Sequence, residues 1–176
     1  HFREILLAVW REACQHIEIH ESVAGIAELL AARVPLDYMM VKRVIPEHGL
    51  VATVAAAPKK PPGGIADSRD VEPAEMKKLV AWIRRGSLTE PTADRSLAAL
   101  SHLLSLPTED RDVRVAPLSN RGDAVGALIV TAKEGERFGK KHEEMLAALQ
   151  EPLAVALEND RRLHELAALR EAAEAD

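Results

Sequence analysis

Seven histidines and one cysteine are the side chains from which nucleophilic, redox or metal chemistry would have to be built. His16 and His20 stand four apart, but Ile17-Glu18-Ile19 falls where two helices are expected to meet. No third His, Cys or carboxylate is placed beside them by the sequence, so no metal site is expected. His48, His102, His142 and His164 are scattered, and no Ser-His-Asp or Cys-His arrangement has sequence support. Cys14 has apolar neighbours at positions 10, 13 and 17, which suits a buried or interfacial thiol. A redox sensor would want a cationic setting and a resolving cysteine, and there is no second cysteine. Gly135-Glu136-Arg137-Phe138-Gly139-Lys140-Lys141 superficially has the look of a phosphate loop. It is one residue short, and Lys141 stands where Ser or Thr should meet magnesium, so a solvated loop leading into a helix is expected. Arg121-Gly122-Asp123 spells an adhesion tripeptide but reads as turn chemistry, with Gly122 supplying a positive φ. No catalytic constellation emerges, and the chain is expected not to be an enzyme.

The composition narrows the classes further. The 176 residues fit one domain, or one domain with an extension. Lys and Arg number 23 against 28 Asp and Glu, a net charge of -5, so no basic face for nucleic acid is implied. Aromatic residues are only 3%, too few stacking platforms for single-strand binding. Direct nucleic-acid binding is not expected. Hydrophobic residues make up 47%, enough for a sizeable core, and 29 Ala with 22 Leu favour packed helices. No apolar run approaches the roughly 18 residues of a membrane span, and no signal peptide opens the chain. A reducing, cytoplasmic setting is expected. His1 reads as a tag remnant, and 169–176 still reads as helix, so a domain cut from a longer protein is expected.

These residues must be positioned by elements that the periodicity outlines. Phe2, Ile5, Leu6, Val9, Ala13 and Ile17 mark one face of a first helix, and Leu7, Trp10 and Cys14 a second apolar face that needs another partner. Val23, Ile26, Ala27, Leu30 and Val34 mark a second helix, ended by Pro35. Asp37–Ile45 and Leu50–Ala57 read as strands joined by the turn Pro46-Glu47-His48-Gly49. Residues 58–72, rich in Pro, Gly and Lys, read as a mobile loop. A helix is expected from Pro73 to Arg85, stopped by Gly86, and another behind Asp94 as N-cap. Val113–Leu118 and Ala124–Ala132 read as a second hairpin. One helix is then expected from near Lys141 to Ala175, kinked near Leu149 by Pro152.

This order resembles a GAF domain. The resemblance is carried by Val23-Ala-Gly-Ile-Ala-Glu-Leu-Leu, Val34-Pro-Leu-Asp and Met39-Met-Val-Lys-Arg-Val near the start. Towards the end it is carried by Ala116-Pro-Leu, Gly122, Val125-Gly-Ala-Leu-Ile-Val, Phe138, Glu144-Met-Leu-Ala-Ala-Leu and Ala154-Val-Ala-Leu-Glu-Asn-Asp-Arg-Arg-Leu. Residues 58–112 match nothing in the family. The resemblance implies an α+β fold: an antiparallel sheet with the first, second and last helices bundled on one face, and short helices and loops roofing a pocket on the other. Residues 1–160 would form the sensory domain and 161–176 the start of a projecting signalling helix. The Ala-rich closing helix with Leu163, Leu166 and Leu169 looks most like sensory domains of sigma-54-dependent transcriptional regulators, with a downstream output domain outside this chain.

The implied role is small-molecule sensing and homodimerisation, relayed through the terminal helices. The alternatives are a ligand-free dimerisation module, or the GAF domain of a histidine kinase or cyclase. The candidate ligand-binding residues are Tyr38, Met40, Lys42, Arg43, Trp82, Ile83, His102 and Leu103. Tyr38, Met40 and Lys42 share one strand face and Met39, Val41 and Arg43 the other, and the pattern alone does not choose between the faces. One of Lys42 and Arg43 would meet a ligand anion, or both would lie exposed near the strand end with packed stems. The expected dimer interface is Leu6, Leu7, Trp10, Cys14, Leu149, Leu153, Leu157 and Leu163. No metal, haem or bilin is expected. The Asn-Lys-Phe-Asp-Glu signature of cyclic-nucleotide-binding members is absent, and Cys14 stands too early, before Gln15, to match a bilin-attaching cysteine.

Overall fold

Strand β1 (Leu36–Ile45) is the centre on which the rest is built, because both of its faces are apolar and both are covered. In a computed structural model describing residues 2–15, 18–61, 68–107 and 110–175, with side chains described except at 14 and 15, it pairs antiparallel with β2 (Leu50–Ala57) and β5 (Asp123–Ala132). β3 (Ser68–Asp70) and β4 (Val113–Asn120) complete a sheet of order β3-β2-β1-β5-β4. A 3-10 turn at Pro46–His48 and left-handed Gly49 (φ 60°) join β1 to β2. Arg121 and Gly122, at φ 53° and 84°, form the tight link between β4 and β5. That is the paired positive-φ geometry which matches the twist of a hairpin.

Met39, Val41, Leu118, Leu128 and Val130 point to a core shared with α1 (Phe2–Gln15), α2 (Ile19–Leu30), α5 (Lys140–Ala147) and α6 (Gln150–Glu174). Tyr38, Met40, Val44, Val115 and Ile129 point the other way, under α3 (Pro73–Arg85) and α4 (Arg95–Leu104). Burial on both faces is why the strands do not alternate apolar with polar residues. The α+β fold expected from the sequence is therefore the observed one.

Two elements differ from expectation. β3 lies inside the expected loop 58–72; its three residues are all exposed and it is held by backbone pairing of Ser68–Asp70 to Leu50–Ala52, which no side-chain pattern announces. The single kinked closing helix is two helices, α5 and α6, meeting at Ala148 and Leu149. Pro152 occupies the first turn of α6, where its missing N–H is one that has no intrahelical partner in any case. It starts a helix instead of bending one. α6 has 25 residues and so extends about 37 Å. Its first half packs on the sheet at close range: a Cβ on Gly126 would lie 2.1 Å from the Lys42 carbonyl oxygen and 2.8 Å from Leu157 Cδ2.

Candidate functional site

The face beneath α3 and α4 collects most of the expected ligand residues. Tyr38, Met40, Trp82, Ile83 and Leu103 are buried together in one apolar cluster. Asp94 organises its roof. Its carboxylate accepts the Ser96 and Leu97 amides at 2.9 and 3.3 Å, which caps α4, and the Trp82 indole N–H at 3.1 Å, which ties α4 to α3. Burial raises the Asp94 pKa, but these three hydrogen bonds outweigh it and hold the carboxyl below its ordinary range.

Two polar groups sit on this same face of the sheet. Lys42 is 4% exposed, and its ammonium donates to the Thr53 hydroxyl. Thr131, paired in the sheet with Tyr38 and Val113, has a buried hydroxyl with no hydrogen-bond partner among the described residues. A cavity of about 760 Å³ opens beside α4, lined by Arg69, Ser101, His102, Leu106, Arg111 and Val113 among others. Its volume falls in the range of small-molecule sites. His102 is exposed at its rim, with Nε2 2.8 Å from Glu75, and its carbonyl accepts from the Arg69 guanidinium. Arg111 donates to Asp37 at 2.8 Å and to the Ala132 carbonyl at 3.0 Å. Arg69 and Arg111 escaped the sequence reading because neither stands on a periodic element; one is in β3 and the other in a loop.

Arg43 is not at this site. It lies on the opposite face, where its guanidinium donates to Asp160 at 2.6 Å and to the Leu157 carbonyl at 3.4 Å. Desolvation lowers its pKa, and the Asp160 charge partly restores it. The other Asp160 oxygen accepts the Ile19 amide at 3.0 Å. Asp160 therefore joins α2, β1 and α6 at one point. Solvent exposure of Lys42 and Arg43 near a strand end, one of the expectations, is corrected: the lysine is buried with its ammonium on Thr53, and the arginine is taken up by this junction. Glu18, Asp160 and His164 bring potential ligand atoms within 4.8 Å of one another, but both Asp160 oxygens are engaged by Arg43 and Ile19. His16 lies outside the described residues, and so does the Cys14 side chain.

The residues expected at a subunit interface divide. Leu149, Leu153 and Leu157 are fully buried in the chain's own core, because the first half of α6 lies against the sheet; they have no surface to offer a second chain. Leu6 and Trp10 are half-buried. Leu7 and Leu163 are exposed at 62% and 41%, and Leu166 and Leu169, one and two turns on, at 62% and 67%.

No sequence-family model and no curated protein matches the chain. Solved structures do. The chain is similar to the GAF domain of an Acinetobacter phosphoenolpyruvate-protein phosphotransferase, at 16% identity over 91% of this chain and 94% of that one, with a TM-score of 0.64. The corresponding domain from Coxiella burnetii gives 15% identity over 93% and 96% of the two chains, with a TM-score of 0.65. The phycoerythrobilin-bound GAF domain of a cyanobacterial phytochrome gives 14% identity over 93% and 98%, with a TM-score of 0.61. Further similar structures hold phycocyanobilin and biliverdin. The expectation that no bilin belongs with such a chain is thereby corrected, since this fold holds bilins in those proteins. The sequence argument rested on the position of Cys14, which bears on covalent attachment and not on what a cavity admits. With TM-scores of 0.61 to 0.65 over nearly the full length of both chains, the chain has the fold of a GAF domain.

Proposed function

We propose that this domain senses a small molecule and relays its presence through the terminal helices of a homodimer. The observation that carries the reading is the cavity beside α4, bordered by the Arg69 and Arg111 guanidinium groups and the Ser101 side chain. The domain binds its ligand without transforming it, in the cytoplasm, and dimerises through the outward side of α1 and the distal half of α6. Leu7, Leu163, Leu166 and Leu169 supply the apolar surface for this. As its context we propose the sensory domain of a sigma-54-dependent transcriptional regulator, on the Ala-rich α6 and its outward leucines.

A thermal-shift screen of metabolites, with biliverdin and phycocyanobilin included, tests the sensing role. A ligand at 100 times its Kd stabilises by about 2.7 kcal/mol. Arg111→Ala is expected to abolish the shift, and a hit unaffected by Arg69→Ala and Arg111→Ala removes this cavity as its site. Sedimentation between micromolar and millimolar concentration tests the dimer, and a strictly monomeric chain sinks that part. A ligand-free dimerisation module is the second reading, favoured by the exposed leucines of α6; a dimer without any hit supports it. Genomic context decides the output: an AAA+ ATPase in the same reading frame supports the proposed context, and a histidine-kinase or cyclase module there replaces it.

A further inference from the structure

A second cavity, of about 560 Å³, lies at the far end of the sheet, where β1 ends, β4 turns into β5, and α6 passes towards its exposed half. It shares no lining residue with the cavity beside α4. Five arginines line it: Arg43, Arg84, Arg121, Arg161 and Arg162. Three carboxylates, Glu47, Asp123 and Glu158, line it beside them, and Asp160 and Glu165 reach Arg43 and Arg161 from outside the lining. What sets the cavity apart is therefore not the number of its cations but which of them are left without an ion pair.

Three of the arginines are engaged. Arg43 is held by Asp160, Arg161 pairs with Glu158 and Glu165 at 2.6 Å each, and Arg162 lies 3.6 Å from Glu158. The guanidinium groups of Arg84 and Arg121 make no hydrogen bond or ion pair among the described residues. They come from separate elements, the last turn of α3 and the β4–β5 turn, and meet at one cavity. Arg121 occupies a left-handed turn position that favours Asn, Asp or Gly, so turn chemistry does not account for an arginine there. No lysine lines the cavity. Guanidinium forks bind oxyanions in a bidentate, planar manner that an ammonium cannot match.

We propose that this cavity binds a small phosphorylated anion, held mainly by Arg84 and Arg121 with Arg161 and Arg162 beside them. The site bridges three elements: α3, whose Trp82 and Ile83 form part of the apolar roof, the β4–β5 hairpin, and α6 just where it leaves the sheet. An anion there would fasten α6 to the domain body. The proposal is independent of the cavity beside α4 and stands if that cavity proves empty.

The test is titration calorimetry and thermal shift of the full chain with inorganic pyrophosphate, against sodium chloride at matched ionic strength. Saturable binding and stabilisation beyond the chloride control are expected. Arg84→Gln and Arg121→Asn should each weaken binding about tenfold, the equivalent of one lost charge-assisted contact. Asn suits the turn position, so the hairpin is kept, and circular dichroism checks it. Arg95→Ala, at an exposed arginine that lines neither cavity, should leave pyrophosphate affinity unchanged. Stabilisation no greater than that from chloride overturns the proposal. So does equal affinity in the Arg84→Gln/Arg121→Asn double variant, which would leave general ionic attraction as the explanation.

Discussion

Replacing Asp160 by alanine should be among the most damaging single changes outside the apolar core. Arg43 and Asp160 are nearly buried, with side chains 11% and 4% exposed and 2.6 Å between nitrogen and oxygen. Truncation would leave the arginine with only the Leu157 carbonyl at 3.4 Å. It would also strip the Ile19 amide of its acceptor. That second loss is a lost helix cap. Glu18, at the N-cap position of α2, makes no side-chain cap of its own, and Asp160 supplies one from 141 residues away. Removing one partner of a buried pair costs about 3–5 kcal/mol, and a missing cap adds about 1 kcal/mol. For a chain of this size, each kcal/mol lowers Tm by roughly 2–4 °C, so a fall of about 10 °C or more is expected. Asp160→Asn keeps an acceptor for Ile19 and should lose less. The double variant Arg43→Met/Asp160→Leu removes both charges and should recover most of the loss, short by about 1 kcal/mol for the uncapped amide. Urea unfolding of the four proteins, with Tm measured beside it, is the assay. Asp160→Ala within about 0.5 kcal/mol of the parent would refute the reasoning, as would a double variant less stable than the single one.

Glycine substitutions separate backbone collisions from soft ones. Gly126→Ala drives a methyl group against the Lys42 carbonyl in the neighbouring strand and should cost about 3 kcal/mol in urea unfolding. Gly25→Ala meets only the carboxylate end of Glu12, which can swing aside, and gains helix propensity, so it should stay within about 1 kcal/mol of the parent. Asp94→Ala removes the α4 cap and leaves the Trp82 indole without its acceptor; a loss of about 2 kcal/mol and altered Trp82 fluorescence are expected, both milder in Asp94→Asn. The acid limb of stability follows from Asp37, Asp94 and Glu158. For Asp37 and Asp94 burial works upward but hydrogen bonds win, and for Glu158 the bond from Arg161 leads, so all three titrate below their ordinary values of 3.8, 3.8 and 4.5. A lowered folded-state pKa gives stability that is present above the ordinary value and lost as pH falls through the folded one, so Tm should drop below about pH 4.5, less steeply in Asp37→Asn.

Features written in local chemistry were legible. Pro73 and Gly86 bound α3 because each acts on its own backbone, and Asp94 caps α4 through amides two and three residues away. The division of β1 into two faces followed from alternation alone. Which face met which helices did not, because that choice is made by packing between residues far apart in the chain. Pro152 shows a subtler limit. The same residue can bend a helix or begin one, and only the packing of Leu149 and Leu153 against the sheet decides that a helix ends at Ala147 and another starts at Gln150. Asp160 was unreadable for a related reason. It stands in Glu158-Asn159-Asp160-Arg161-Arg162, which looks solvated from end to end, while its partners Arg43 and Ile19 lie more than a hundred residues earlier. The candidate cavity was barely legible: of its lining only His102 was among the expected ligand residues, while Arg69 and Arg111 stand on no periodic element.

The position of Asp160 gives the relay reading its physical content. Before it, α6 is committed to the domain body, with Leu153, Ala156 and Leu157 in the core. After it, the helix turns Leu163, Leu166 and Leu169 outward. A ligand can shift the second half only if it binds more tightly to one placement of α6 than to another. The Arg43–Asp160 pair opposes any gradual sliding, because a small displacement would leave a nearly buried charge unmatched. Movement at this point is therefore expected to be a switch between discrete arrangements, in which Arg43 keeps a partner in each. The arginines beside the junction offer such a partner role to an anion, since Arg161 and Arg162 stand one and two residues after Asp160 and face the same cavity as Arg43. An anion bound in that cavity, as proposed, would act where α6 is fixed to the sheet and runs on to the exposed leucines.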